Sequence, residues 1–181
     1  MISIGDYRQL VDALFHAGTR SGSEFEHIDE DNGLHFYVID IHRDEQGVLR
    51  YTVGALALSG GSSSNYGVKM SQGKAGKIAK GATMCSFELT NSGSAESGTD
   101  SDLAEYVQSD IYRLEAEVQG EGWQVQLPNA LATAEFGKST MAKVAVGAGE
   151  HAAAEATVLL TATSESDPET SITKQCLVKK A

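Results

Sequence analysis

The chain has 181 residues, 41% of them hydrophobic and 22% charged, ordinary values for one large globular domain or two small ones. Its formal net charge of -11 repels phosphate backbones and anionic lipid surfaces, which sets aside nucleic acid and membrane as partners. No run is apolar enough to span a bilayer, and the opening residues, MISIGDYRQLVDALFHAG, lack the basic and apolar regions of a secretory signal. The expectation is a cytosolic protein or a downstream piece of a longer exported chain.

Residues 6–17 read as a helix. Tyr7, Leu10, Val11, Leu14 and Phe15 recur at helical spacing, with Asp6 placed to cap the start and Gly18 to end it. A polar stretch follows, and then a hairpin. Residues 34–41 are rich in β-branched and aromatic side chains, Asp44 to Gly47 supply the turn, and residues 48–58 return. The helix and hairpin are too small for a large core, so 1–58 reads as the end of a preceding domain. Residues 59–65, SGGSSSN, have the composition of a flexible linker.

From 66 to 181 the text changes to short alternating strands separated by polar turns. Tyr112, Leu114, Ala116 and Val118 alternate with Arg113, Glu115 and Glu117; Trp123, Val125 and Leu127 alternate with Gln124 and Gln126. Side chains on a strand point to opposite faces in turn, so this is the pattern of sheets with one buried face. Seven strands are predicted, over 66–72, 83–90, 111–119, 123–127, 139–146, 154–163 and 170–178. The fold class is mainly β: an immunoglobulin-like, seven-stranded antiparallel sandwich preceded by a small helix-plus-hairpin segment.

Cys85 and Cys176 are too few for a disulfide framework. Each is in phase with apolar neighbours on its strand. This favours two buried thiols, with a Cys85–Cys176 bridge as the second reading.

The succession FELTNSGSA, IYRLEAEVQGEGWQVQLPN, FGKST and ATVLLTATSESDP resembles the NPCBM-associated, NEW-type domain, an immunoglobulin-like accessory domain of secreted bacterial hydrolases. The resemblance covers 65–181. It departs at ATMCSFELT, where Cys85 stands in place of a β-branched or small residue. It implies a non-catalytic extracytoplasmic module. The upstream text GLHFYVIDIHRDEQGVLRYTVGALAL looks like the hairpin before the accessory domains of secreted metalloproteases of the immune inhibitor A type. Those enzymes need H-E-x-x-H, which sets two imidazoles and a general base around zinc, and no such run occurs here.

Residues suited to chemistry are scattered. Glu96, Asp100 and Asp102, in the long polar loop 91–103, are candidate ligands for calcium, without completing a known calcium-loop spacing. Glu26, Asp29, Glu30 and Asp31 form an acidic cluster that reads first as a solvated charge run. His35 and His42 are seven apart, which points them to opposite faces of a regular strand. Asp40 and His42 face the same way, most simply as a hydrogen-bonded pair closing the hairpin end. Trp123, Tyr112 and Tyr66 read as core residues before they read as a sugar platform. Gly73 and Gly76 with Lys74 and Lys77 lack the spacing of a phosphate loop. No serine lies in a G-x-S-x-G elbow.

The sequence therefore leads to a protein that is not an enzyme. It reads as an accessory or spacer module of a secreted hydrolase, contacting glycan or protein surfaces. Its partner is a preceding catalytic domain, with polysaccharide as a further partner and calcium as the one cofactor considered. The alternative is the calcium-stabilised C-terminal portion of a secreted metalloprotease lacking its catalytic domain. Either places the protein outside the cell if it belongs to an exported precursor.

Overall fold

A computed structural model describes residues 26–59, 64–79, 81–95 and 107–180. The helix expected over 6–17 and the calcium candidates Glu96, Asp100 and Asp102 lie outside the described residues. The chain divides into two compact units between Gly61 and Ser62.

The first unit is a three-stranded antiparallel sheet in the order β1-β2-β3: β1 (Glu26–Asp29), β2 (Leu34–Arg43) and β3 (Leu49–Ala57). The hairpin of β2 and β3 follows the expected text. β1 does not: its sequence, EHID, reads as a charge run, and only the pairing of Glu26 with Tyr37 and Ile28 with His35 makes it a strand. Between Val38 and Asp40 the register slips by one residue. Val38 still faces Val53, but Asp40 faces Thr52, so Ile39 is the extra residue of a bulge. A bulge reverses the alternation beyond it. The tip turn is held by Asp44, whose carboxylate accepts from Gln46 N and Val48 N at 3.0 and 2.8 Å. Gly47 there takes φ of 80°, which a side chain would strain.

The second unit is the expected antiparallel sandwich, with nine strands instead of seven. One sheet holds β4 (Val68–Met70), β5 (Lys74–Ala75), β6 (Ala82–Asn91), β10 (Ser139–Ala148) and β8 (Trp123–Gln126), in the order β4-β6-β10-β8 with β5 also on β6. The other runs β12 (Ser171–Lys179), β11 (Glu155–Ser164), β7 (Ser109–Gln119) and β9 (Leu131–Glu135). The two additions have simple reasons. β5 is two residues long, and β9 reads LATAE, whose alanines carry little strand preference by themselves. Here packing decides, because Leu131, Ala132 and Ala134 are all buried.

The core lies between the sheets. Phe87 and Leu89 on β6 and Val144 and Val146 on β10 pack in one cluster with Tyr112 and Leu114 on β7, Val158 and Leu160 on β11, and Val178 on β12. Each large aliphatic or aromatic side chain buried in this way contributes about 1.5–3 kcal/mol by leaving water. Trp123 belongs to the same cluster, and its Nε1–H donates to Ala153 O at 2.9 Å.

Cys85 on β6 and Cys176 on β12 form a disulfide between the two sheets. The reading of two free thiols is thus overturned. In-phase apolar neighbours show that each sulfur is buried, but whether the two meet depends on strands 91 residues apart in sequence lying across the sandwich from one another.

Candidate functional site

Two buried polar clusters are the chemically distinctive places among the described residues. The first lies on the three-stranded sheet. Glu26 is 3% exposed and Tyr37 1%. His35 stands diagonally across from Glu26, and its Nε2 is 3.0 Å from Glu26 Oε2. On the other side of the ring, Tyr37 Oη is 2.7 Å from His35 Nδ1. With a neutral imidazole the network has one consistent assignment: Nε2–H donates to the carboxylate, and Nδ1 accepts from the tyrosine hydroxyl. Glu26 is therefore not part of a solvated charge run. Asp29 is half-buried and Asn32 exposed, and the Asp29 carboxylate accepts from Asn32 Nδ2 at 2.8 Å. That contact first, and His27 among lesser causes, holds the Asp29 carboxyl below the usual range.

The bulge corrects the reading of the histidines. His35 faces Leu56 and His42 faces Arg50, both even positions of β3, so the two rings share a side of the sheet. They still have different partners. His42 Nδ1 is 2.9 Å from Asp40 Oδ2, and both side chains are more than half exposed, as expected for a pair closing the hairpin end.

The second cluster closes one end of the sandwich. Asp110, at the start of β7, is 1% exposed. Its Oδ2 accepts from Ser164 Oγ at 2.6 Å, and its Oδ1 accepts from Ser166 Oγ at 2.8 Å and from Ile111 N at 2.9 Å. Burial raises the Asp110 carboxyl above the ordinary range, against the lowering effect of these donors. Asp167 N donates to Ser164 Oγ at 3.0 Å, and Thr170 Oγ1 donates to Asp167 Oδ2 at 2.7 Å. Burial, and then the Asp110 charge, raises the Tyr112 hydroxyl too, so it stays protonated and donates to Gly67 O at 3.0 Å. Arg113 Nε meets Glu165 Oε1 at 2.6 Å beside a cleft of about 180 Å³ that is also lined by Glu115, Thr163 and Pro168.

This second cluster explains why the TATSESDP text is distinctive: it supplies Ser164, Glu165, Ser166 and Asp167. The TNSG turn has a similar cause. Asn91 is fully buried, its Nδ2 donates to Ala134 O at 2.8 Å, and its Oδ1 accepts from Gly93 N at 2.9 Å. Trp123 and Tyr112 lie in the core and form no sugar platform; Tyr66 is half-buried, with its ring centroid 6.4 Å from that of Phe136. Nothing in the sequence singled out Asp110. The available signal was an aspartate in the apolar phase of β7, where Tyr112 and Leu114 follow at steps of two.

Comparison with known proteins decides the family. The peptidase M6-like domain matches residues 67–180, and a domain described as the middle domain matches residues 1–58. This chain belongs to the peptidase M6-like family. A protein of Arthroderma benhamiae that carries the name of a secreted metallopeptidase is 50% identical over 193 residues. That match covers 99% of this chain and 28% of the relative, so this M6-like chain spans little more than a quarter of the relative's length. Of the two resemblances seen in the sequence, the family match supports the metalloprotease one. A solved structure, the FixG-related protein from Vibrio parahaemolyticus, aligns over 64% of this chain and 96% of its own, with 14% identity and a TM-score of 0.41.

A metallopeptidase holds its metal on converging imidazoles and carboxylates. Among the described residues no three His, Cys, Asp or Glu side chains converge in that way, and no H-E-x-x-H occurs in the sequence. The described residues of this M6-like chain do not fit a catalytic metal site. Both buried clusters join side chains of different strands or strand ends by hydrogen bonds.

Proposed function

We infer that this chain is the non-catalytic part of a secreted metallopeptidase, comprising its middle domain and its C-terminal sandwich. The observation that carries the reading is the family match over residues 67–180, joined by the middle-domain match over 1–58. The secreted metallopeptidase name of the Arthroderma benhamiae relative supports it, and so does the buried Cys85–Cys176 disulfide, a bond that persists in oxidising compartments. In this reading the zinc-binding helix is supplied by a segment outside the chain, which is the chain's partner. The sandwich stabilises and positions that segment, and Glu96, Asp100 and Asp102 are the residues through which calcium would act.

The test compares two secreted products: this 181-residue chain, and the longer polypeptide that this reading expects its gene to encode. Each is assayed for zinc content and for cleavage of a denatured protein substrate. The expected result is stoichiometric zinc and chelator-sensitive proteolysis in the longer product alone. Proteolysis by the 181-residue chain itself, or a longer product without zinc, overturns the reading.

A further inference from the structure

Beyond the bulge, β2 and β3 continue as a two-stranded arm, residues 40–53, and every residue of it except Asp44 is exposed. Its faces differ. Ile41 pairs with Tyr51, and Arg43 pairs with Leu49. Ile41, Arg43, Leu49, Tyr51 and Val53 therefore share one side of the ribbon, apolar except at the tip, where Arg43 donates to Gly47 O at 3.0 Å. Asp40, His42, Arg50 and Thr52 share the other, where the Asp40–His42 contact is 2.9 Å and the Arg50–Asp44 contact is 2.8 Å.

The polar side is suited to water and the apolar side is not. Tyr51 is 51% exposed and Val53 60%, with Ile41 at 39% and Leu49 at 40%. The sandwich manages its surface differently: its large exposed hydrophobic side chains among the described residues are Val107, Met141 and Leu177, on separate elements. A two-stranded ribbon is marginal by itself in water, and a contiguous apolar patch on one marks a contact surface. β3 is also an edge strand of its sheet as described, which leaves its outer backbone groups available for a further strand.

We propose that the Ile41–Leu49–Tyr51–Val53 face of this arm docks on the peptidase portion of the same polypeptide, outside this chain. The proposal rests on the reading given under Proposed function. The arm lies within the region matched as a middle domain, and most of the relative's length lies outside the stretch this chain matches. A second copy of the chain is the rival occupant. The formal net charge of -11 opposes it, because two copies repel one another at long range. Tyr51, flanked by Leu49 and Val53, is the aromatic anchor expected at the centre of such a contact.

Hydroxyl-radical footprinting of Tyr51, in the 181-residue chain and in the longer secreted polypeptide, tests this directly. The expected result is labelling several-fold slower in the longer polypeptide. Val53→Glu should restore the labelling there, while leaving the thermal midpoint of the shorter chain unchanged. Equal labelling in the two products overturns the docking and leaves the family reading intact. A reading frame with no peptidase portion overturns both. Labelling that slows as the shorter chain is concentrated overturns the proposal in favour of self-association.

Discussion

Asp110 is the residue whose environment makes the clearest demand. Its carboxyl is raised by burial even though donors from Ser164, Ser166 and Ile111 face it. The folded chain thus keeps this proton at pH values where the unfolded chain has released it. The consequence has a definite sign. Protonation favours the folded state, so this group's contribution is most favourable at acid pH and declines as pH rises from the ordinary aspartate value through the raised one. Asp110→Asn removes that dependence. Urea midpoints of wild type and variant between about pH 4 and 8 should show a difference that narrows or reverses toward neutrality. Ser164→Ala acts in the opposite direction. It leaves Oδ2 without its 2.6 Å donor and should cost about 1–3 kcal/mol near neutral pH, where the carboxylate is charged. A Ser164→Ala midpoint equal to wild type at pH 7 would mean that the hydroxyl is replaced at no cost. The Tyr37 hydroxyl on His35 gives a parallel case in the first unit, where Tyr37→Phe takes the donor from Nδ1 and should cost about 1 kcal/mol or more by the same measurement.

At the scale of the element, the decisive piece is the passage from β4 to β5. Met70 pairs with Leu89 and Lys74 pairs with Ser86, both on β6, while Gln72 and Gly73 between them hydrogen-bond to Gln175 on β12 of the opposite sheet. Gly73 N donates to Gln175 O at 2.9 Å on β12. A Cβ on Gly73 would stand 2.5 Å from Cys176 Cβ and 2.6 Å from the Phe87 ring. The glycine is therefore there for close approach, not for a phosphate. Gly73→Ala must displace buried atoms and should destabilise by about 1–3 kcal/mol in urea unfolding. None of this was legible from local text. Long strands with one buried face, such as β7, β10 and β11, declare themselves through alternation, because their neighbours on either side are regular. β1 and β9 do not, since Glu26 and Ala132 become strand residues only through partners elsewhere in the chain. The bulge at Ile39 is invisible for the same reason: it is a property of the pairing with β3, and it alone puts His35 and His42 on one side. The site suffered from both effects. Glu26 looked solvated because its ring partner lies nine residues away on another strand.

For the whole molecule, the centre of each sheet of the sandwich is a distant pairing, β6 with β10 and β7 with β11. After β6 the chain alternates between sheets, from β7 to β8 to β9 to β10, before β11 and β12 close as neighbours. Hydrogen-bonded partners such as β6 and β10 are therefore brought together only after long loops have closed, and folding of such topologies is slow. One covalent bond offsets much of that entropy. The Cys85–Cys176 disulfide spans 91 residues and joins the first long strand of one sheet to the last strand of the other. In the chain-entropy account a loop of that size is worth roughly 4–5 kcal/mol, a large part of the stability of an ordinary domain. The sulfurs lie among Phe87, Leu89 and Val178 in the buried core, so a reductant reaches them only when the sandwich opens. Two outcomes follow from this arrangement. Dithiothreitol should leave the native protein's bond intact at moderate temperature, and cleave it quickly once urea unfolds the sandwich. The Cys85→Ala/Cys176→Ala variant should unfold at a urea midpoint lower by the equivalent of about 2–5 kcal/mol. It should also refold more slowly, because β6 and β12 must then find each other unaided. Equal midpoints for variant and wild type would show that the sandwich holds its sheets together without the bond. The dependence on an oxidised bridge would then no longer support a chain made for export.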